Sequence, residues 1–415
     1  MNANDLLTLG LGLTEPWKVV EQELNLLGNP SELKLRIEAQ RGSLFPCPTC
    51  KTLCNAHDFK ELSWRHLNFF QHHCTISARV PRVDCPKHGI HRIEVPWARP
   101  GSGFTLLFEQ VVMLLAREMP VNTVAKHVGV TDKRIWRVVE HYVHKAVERL
   151  DLSGLQGLGL DETSRKRGHK YVTVFVDMER SVRPVIFATP GKGRVCVHAF
   201  AKFLKKHKGD AAEIKEVVCD MAPYFLPSVE ETFKNAAVTV DWFHVVQLFN
   251  RSVEAVRRLE SKQCRLPKGT RWAVLKASET KRTVDQEAAL IELEEAGMAT
   301  STAFRVKELL RWVRLADSKQ AARWRATRFI NRAQELVDES ISSLLEPVLT
   351  SIQTFQNHLP RIVNRWNSKM SNARLEGMNS LFQAARTRAR GYRNAATFIT
   401  IIYLIGASIQ ETLRA

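Results

Sequence analysis

Two short knuckles constrain this chain more than any other feature: Cys47-Pro-Thr-Cys50 and Cys85-Pro-Lys-His88. A two-residue gap lets both side chains of a knuckle reach one ion, and two knuckles complete the tetrahedral shell of a structural zinc. Proline after the first ligand of each, and Gly89 after the last, suit the tight turns this needs. The chain around them must therefore fold so that two distant turns meet at one point. Cys54, His72, His73, Cys74 and His91 stand close in the sequence, so the spacing alone leaves the fourth ligand open. The N-terminus, MNANDLLTLG, has no basic residue ahead of its apolar ones. No secretion signal is expected, the eight cysteines are expected to be reduced, and the cytoplasm is the expected compartment.

Around the knuckles the pattern is that of strands. Residues 33–39 alternate apolar and charged side chains and residues 76–80 repeat the alternation, so 1–98 reads as a zinc-binding β module. Arg99-Pro-Gly-Ser-Gly103 reads as a linker. Apolar residues at helical spacing then fill 104–150, where residues 121–138 have the layout of a helix-turn-helix. Ala125 is small where two helices cross, Gly129 sits in the turn, Ile135 and Val138 pack the second helix on the first, and Thr131 and Asp132 are placed to cap it. Lys133, Arg134 and Arg137 are left to face a major groove, although a structural helical hairpin uses the same spacing. Charge favours double-stranded DNA: 61 Lys and Arg against 43 Asp and Glu leave +18, and a basic surface gains affinity by displacing counterions from a polyanion. With 44% hydrophobic residues, disorder is excluded as a description of the whole.

The texture changes near Gly159. Apolar runs at 158–160, 171–176, 184–188, 217–219 and 238–240, with a helical pattern carrying Phe200, Phe203 and Leu204 between the third and fourth, predict an α/β core over 155–241. From 242 to 370 strand signals vanish. Val306, Leu309, Leu310, Val313 and then Ile341, Leu344, Leu345, Val348 follow helical spacing, and residues 251–332 hold 19 Lys and Arg against 10 Asp and Glu. The apolar run at 398–409 is too short for the roughly 20 residues a bilayer crossing needs, so it reads as a buried C-terminal helix and no membrane is expected.

Two acids leave core strands, Asp161 after 158–160 and Asp220 after 217–219, where carboxylates can converge and hold magnesium. A third comes from 372–382, read as an amphipathic helix with Met378, Leu381, Phe382 and Ala385 on its apolar side. Glu376, Asn379, Arg386 and Arg390 share the polar sector, an arrangement suited to metal-bound phosphate.

In order along the chain come Phe45-Pro-Cys-Pro-Thr-Cys50, Ser63-Trp-Arg-His-Leu67, Val80-Pro-Arg-Val-Asp-Cys-Pro-Lys-His-Gly89, Val95-Pro-Trp-Ala98, Leu160-Asp-Glu-Thr-Ser164, Gly168-His-Lys-Tyr-Val172, Asp220-Met-Ala-Pro-Tyr224, Asp241-Trp-Phe-His244, Arg374-Leu-Glu-Gly-Met-Asn379 and Arg390-Gly-Tyr-Arg-Asn394. This series resembles bacterial insertion-sequence transposases of the ISL-three family over nearly the whole chain. The resemblance implies a multidomain α+β protein: a zinc-binding β module, a helix-turn-helix, and an RNase-H-like α/β core over 155–241 and 371–415, interrupted by an all-helical insertion over 242–370. It implies a DDE transposase with catalytic acids Asp161, Asp220 and Glu376, structural zinc on Cys47, Cys50, Cys85 and His88, and catalytic magnesium. Asp241 competes for the place of second acid; the expected strand order favours Asp220. Terminal inverted repeats and target DNA are the implied partners, bound by a homodimer or higher oligomer at the bacterial nucleoid. Two rivals share these parts, a DNA-binding regulator without chemistry and a metal-dependent nuclease without strand transfer.

Overall fold

Strand-period alternation builds the N-terminal part of the chain, from Trp17 to Arg92. The structure, a computed structural model, describes residues 2–166, 168, 170–275, 282–368, 370 and 373–409. It divides into two compact units, Met1–His141 and Tyr142–Ala415. His169 and Asn372, both in stretches used above, lie outside the described residues.

The first unit opens with α1 (Ala3–Gly10), followed by β1 (Trp17–Asn25), β2 (Glu32–Ala39), the small pair β3 (Phe45–Pro46) and β4 (Leu53–Cys54), then β5 (Ala56–Phe69), β6 (His72–Cys85) and β7 (Gly89–Arg92). The main sheet runs β1-β2-β6-β5 with β7 also on β6; only β2 and β6 are parallel. Leu33, Leu35 and Ile37 on β2 and Ile76, Ala78 and Val80 on β6 alternate inward and are buried. Trp97 closes this core edge-on to Trp17 and Trp64, at ring distances of 5.0 and 5.6 Å. Residues 99–103, expected as a linker, are tied down instead. Arg99 Nε and Ser102 Oγ donate to the fully buried Glu109 carboxylate, and the Arg65 N–H donates to the Gly103 carbonyl. A buried carboxylate demands such partners, so this stretch is clamped between β5 and α2 (Leu106–Glu118). α3 (Val121–Val128) and α4 (Asp132–Glu148) complete the tri-helical part.

The second unit holds β8 (Gly157–Lys166), β9 (Lys170–Asp177), β10 (Val185–Pro190), α5 (Arg194–Lys206), β11 (Glu216–Cys219), α6 (Leu226–Thr232) and β12 (Ala237–Val240). Its sheet runs β10-β9-β8-β11-β12, antiparallel from β10 to β8 and parallel from β8 to β12. α7 (Trp242–Glu260), α8 (Thr270–Leu275), α9 (Val284–Glu295), α10 (Ala299–Arg314), α11 (Lys319–Ser340) and α12 (Glu346–Val363) form the insertion, and α13 (Ala373–Arg388) and α14 (Ala395–Gly406) return to the sheet.

Each layer buries what the period predicts. Leu158 and Leu160 on β8 face α5 and α6 in a core with Phe175, Phe200, Val217 and Val229. The other side of β8 faces α13. The insertion has its own core around Phe249, Phe329 and Phe355, three rings within 5.1–6.1 Å of one another. No described helix is long and apolar enough to cross a membrane.

Candidate active site and metal centre

The two knuckles meet. Cys50 and Cys85 Sγ are 3.7 Å apart, and His88 Nδ1 lies 3.8 Å from Cys47 Sγ and 3.6 Å from Cys85 Sγ. All four ligand atoms fall within 4.8 Å of one another. Ligands on a tetrahedral zinc with bonds of about 2.3 Å stand about 3.7 Å apart, so donor set and spacing both fit that ion. The turns that bring them together are local. Lys51 takes φ 60° as its N–H donates to the Cys47 carbonyl, and Gly89 takes φ 74° directly after His88. Four of the five competing ligands have other surroundings: His72 Nδ1 pairs with Ser31 Oγ at 2.6 Å, His91 Nε2 with the His88 carbonyl at 2.7 Å, Cys54 Sγ with the Thr52 carbonyl at 3.4 Å, and Cys74 is buried with Leu33 and Leu35. His88 is the fourth member of the cluster, and a set of three cysteines and one histidine fits a closed, structural zinc site.

In the helix-turn-helix, Ala125, Ile135 and Val138 are buried at the crossing, and Gly129 takes the left-handed φ of 69° that ends α3. Lys133, Arg134 and Arg137 are all exposed. Arg134 has a second engagement, since its guanidinium lies 4.1 Å from the Phe104 ring centre and reaches the Gly103 carbonyl at 3.4 Å.

Strand alternation and register assemble the acids. Gly157, Gly159, Asp161 and Thr163 share the side of β8 that faces α13. Gly159 is packed closely there: a Cβ would lie 2.5 Å from Met178 Sδ, 2.8 Å from Val176 Cγ2 and 2.9 Å from Leu375 Cδ1, so these side chains would have to shift to admit one. Its bare backbone lets α13 approach, so Asn379 Nδ2 donates to Asp161 Oδ2 at 2.6 Å and Gln383 Nε2 to Thr163 Oγ1 at 2.6 Å. Val218 pairs with Gly159 and Cys219 with Val240, so stepping on along each strand brings Asp220 level with Asp161 and Asp241 level with Asp220. β11 and β12 thus stop just before Asp220 and Asp241, level with Asp161 in the middle of β8, and three carboxylates stand in a row beside the carboxyl ends of β11 and β12, where open α/β sheets bind ligands. His244 Nδ1 lies 3.4 Å from Asp220 Oδ1, and Asp241 lies against Glu376 from α13.

The electrostatics register this crowding. Burial pushes Asp161 up to about 6; the charges of Asp220 and Asp241 add to the rise, while the Glu162 N–H and His244 oppose it. Burial also raises Glu376, with Asp241 adding to the rise. Hard oxygen donors that repel one another at a strand edge fit a divalent cation, which would remove the repulsion. Glu162, which sequence reasoning passed over, faces the opposite side: Tyr224 Oη is 3.4 Å from its Oε2, and burial pushes it up to about 7. Its signal was the strand period, which turns the neighbour of Asp161 away from the acid row.

Two details of α13 differ from expectation. Leu381, placed on the apolar side, is 51% exposed, and Leu375 is buried in its stead. Arg386 donates to the Ser164 carbonyl at 3.0 Å and so fastens α13 to β8, whereas Arg390 is exposed beyond the helix end at φ 57°.

Comparison with known proteins agrees with this geometry. Residues 158–402 match the family model of the ISL3 DDE domain, described as "Transposase". Residues 93–143 match "Helix-turn-helix domain of transposase family ISL3", and 43–88 match "zinc-finger of transposase IS204/IS1001/IS1096/IS1165". The chain is 26% identical over 368 residues to the "Transposase for insertion sequence element IS1001" of Bordetella parapertussis, covering 85% of this chain and 86% of that one. It is 28% identical over 242 residues to the "Transposase for insertion sequence element IS1557" of Mycobacterium tuberculosis (strain CDC 1551 / Oshkosh), covering 58% of this chain but only 54% of that relative, about half its length. With zinc finger, helix-turn-helix and acid-bearing core matched in order, the chain belongs to the transposase family ISL3, the ISL-three family.

Proposed function

We propose that this protein binds the terminal inverted repeats of an insertion sequence and catalyses metal-dependent strand cleavage and strand transfer. The observation that supports this reading is the row of Asp161, Asp220 and Asp241 beside the carboxyl ends of β11 and β12, with Glu376 of α13 against Asp241. Asp161, Asp220 and Glu376 would hold magnesium, which would supply an activated water and neutralise charge at the leaving 3′ oxygen. Asn379 fixes the Asp161 carboxylate, and His244 steadies Asp220. The freed 3′-hydroxyl then attacks target DNA, with no covalent protein–DNA link. Lys133 and Arg137 reach bases in the major groove, Arg134 braces the recognition helix on Phe104, and Arg390 meets backbone phosphate beside the cut while Arg386 holds the helix that carries Glu376. Two element ends must be joined to one target, so the working form is at least a homodimer, acting in the cytoplasm at the nucleoid.

The test is cleavage of a labelled terminal-repeat duplex by purified protein with magnesium, manganese or calcium. Asp161→Asn, Asp220→Asn and Glu376→Gln each abolish cleavage and keep binding intact, because removing a carboxylate removes only repulsion toward DNA. Calcium supports binding alone. Cleavage that survives all three substitutions refutes the enzyme reading.

A further inference from the structure

The insertion exposes aromatic surface that its own core does not use. Trp312 near the end of α10 and Trp324 near the start of α11 are 39% and 56% exposed, with rings 5.6 Å apart and inclined at 66°. Leu315, in the turn between the helices, is 74% exposed beside them. Each ring has a guanidinium over it: Arg325 at 5.5 Å from the Trp312 centre and Arg328 at 5.4 Å from that of Trp324. Arg325 is anchored by the Trp312 carbonyl at 3.1 Å. Among the described residues, neither these two nor Arg314 and Arg323 on the same helices form an ion pair with a carboxylate, although the connecting turn carries Asp317.

A basic patch that only tracked phosphates would gain nothing from two indoles left in water. Indole faces are useful to a nucleic acid where base faces are available, and in a duplex those faces are stacked on one another. We infer that the Trp312–Trp324 pair is a platform for unpaired DNA bases, with Arg325 and Arg328 adding cation–π contact and Arg314 and Arg323 taking the backbone. This rests on the reading of the protein as one that acts on DNA ends. It adds that the insertion grips a strand whose pairing is broken, rather than the duplex.

The test uses the full-length, zinc-loaded protein and fluorescence anisotropy. A labelled single strand of about 20 nucleotides, longer than typical single-strand sites, is compared with the blunt duplex of the same sequence. Trp312→Ala and Trp324→Ala each weaken single-strand binding about tenfold, within the range that loss of base–aromatic stacking produces, and change duplex binding by less than about twofold. Trp312→Phe and Trp324→Phe retain most of the affinity, which a role in merely joining α10 to α11 would not require. Arg328→Gln, at an exposed position, weakens single-strand binding without touching the contact between the rings, so the idea stands testable even where an alanine variant fails to fold. Losses equal on both DNAs, or no loss with melting unchanged, overturn the platform while leaving the reading of the acidic site in place. A wild-type protein that binds neither DNA overturns both.

Discussion

Asp161 and Glu162 are adjacent in sequence and face opposite sides of one strand, and that half-turn separates a member of the acid row from a half-buried neighbour beside Tyr224. The second acid is the sharper question, because Asp220 and Asp241 end neighbouring strands at one level. Asp220 adjoins the strand that carries Asp161, whereas Asp241 packs against Glu376. Asp220→Asn is therefore expected to abolish cleavage, and Asp241→Asn to reduce it while leaving measurable turnover in the same gel assay. The opposite ranking would make Asp241 the second acid. At the zinc centre, Cys85→Ser is expected to lower bound zinc well below one per chain by metal analysis. Affinity for terminal-repeat DNA should fall at least tenfold, since a structural ion contributes folding free energy; full affinity in the zinc-free variant would contradict this. The cysteine and histidine knuckles were legible because chemistry forces their type and spacing, whereas the acids lie far apart in the chain and were singled out by the family resemblance. The side-chain engagements of Arg134 and Arg386 were not legible, because an arginine on a polar face looks the same whether it awaits phosphate or holds a neighbouring carbonyl.

Among the elements, strands with a buried face announced themselves and strands without one did not. β2 buries Leu33, Leu35 and Ile37 in alternation, but β1 buries only Trp17 and Val19, and β5 only Trp64, so neither shows a period of two. Helix α13 depends on a feature invisible to periodicity, the bare Gly159 backbone beneath Leu375. Gly159→Val is expected to lift α13 and displace Glu376 and Asn379 from Asp161. Manganese binding, followed by electron paramagnetic resonance, should weaken, while recognition of terminal-repeat DNA stays unchanged. Unaltered manganese binding would show that the sheet tolerates the larger side chain. In the insertion, Glu254 accepts from Arg257 Nε at 2.8 Å and Arg258 Nε at 2.9 Å, and Arg257 above all holds its carboxyl down at about 2, from 4.5 ordinarily. A depressed carboxyl stabilises the fold fully above its unfolded value and loses that contribution as pH falls toward the folded one. Glu254→Gln should accordingly destabilise the fold at neutral pH, mainly through loss of the Arg257 contact, since Arg257 and Glu254 are largely shielded while Arg258 is exposed and screened. The gap to wild type, measured by urea unfolding, should narrow between pH 5 and pH 3. A gap independent of pH would assign the effect to packing.

Across the whole molecule the proposed DNA binding asks two separable tasks of a net charge of +18. Contacts to base edges carry sequence preference, while contacts to phosphates carry affinity that falls with salt. The first unit holds the second helix of the helix-turn-helix, with Arg137 exposed and in no ion pair among the described residues; the second holds the insertion, where Lys262 is exposed just beyond α7. Order along the chain was readable because each part announces itself by a different signal: ligand spacing, then a helical crossing, then apolar strands, then a basic helical stretch. The final prediction sets the two tasks against each other in one titration series. Arg137→Ala should lower affinity for the terminal repeat by about 1–3 kcal/mol and leave random duplex nearly untouched, so the ratio of specific to non-specific binding falls. Lys262→Gln should weaken both duplexes alike and reduce the slope of log affinity against log salt by about 1. Anisotropy titrations of both variants on both duplexes, from low to physiological salt, resolve the two effects. If Arg137→Ala flattens the salt slope and preserves preference, the recognition helix is a phosphate clamp, and sequence must be read by another part of the chain.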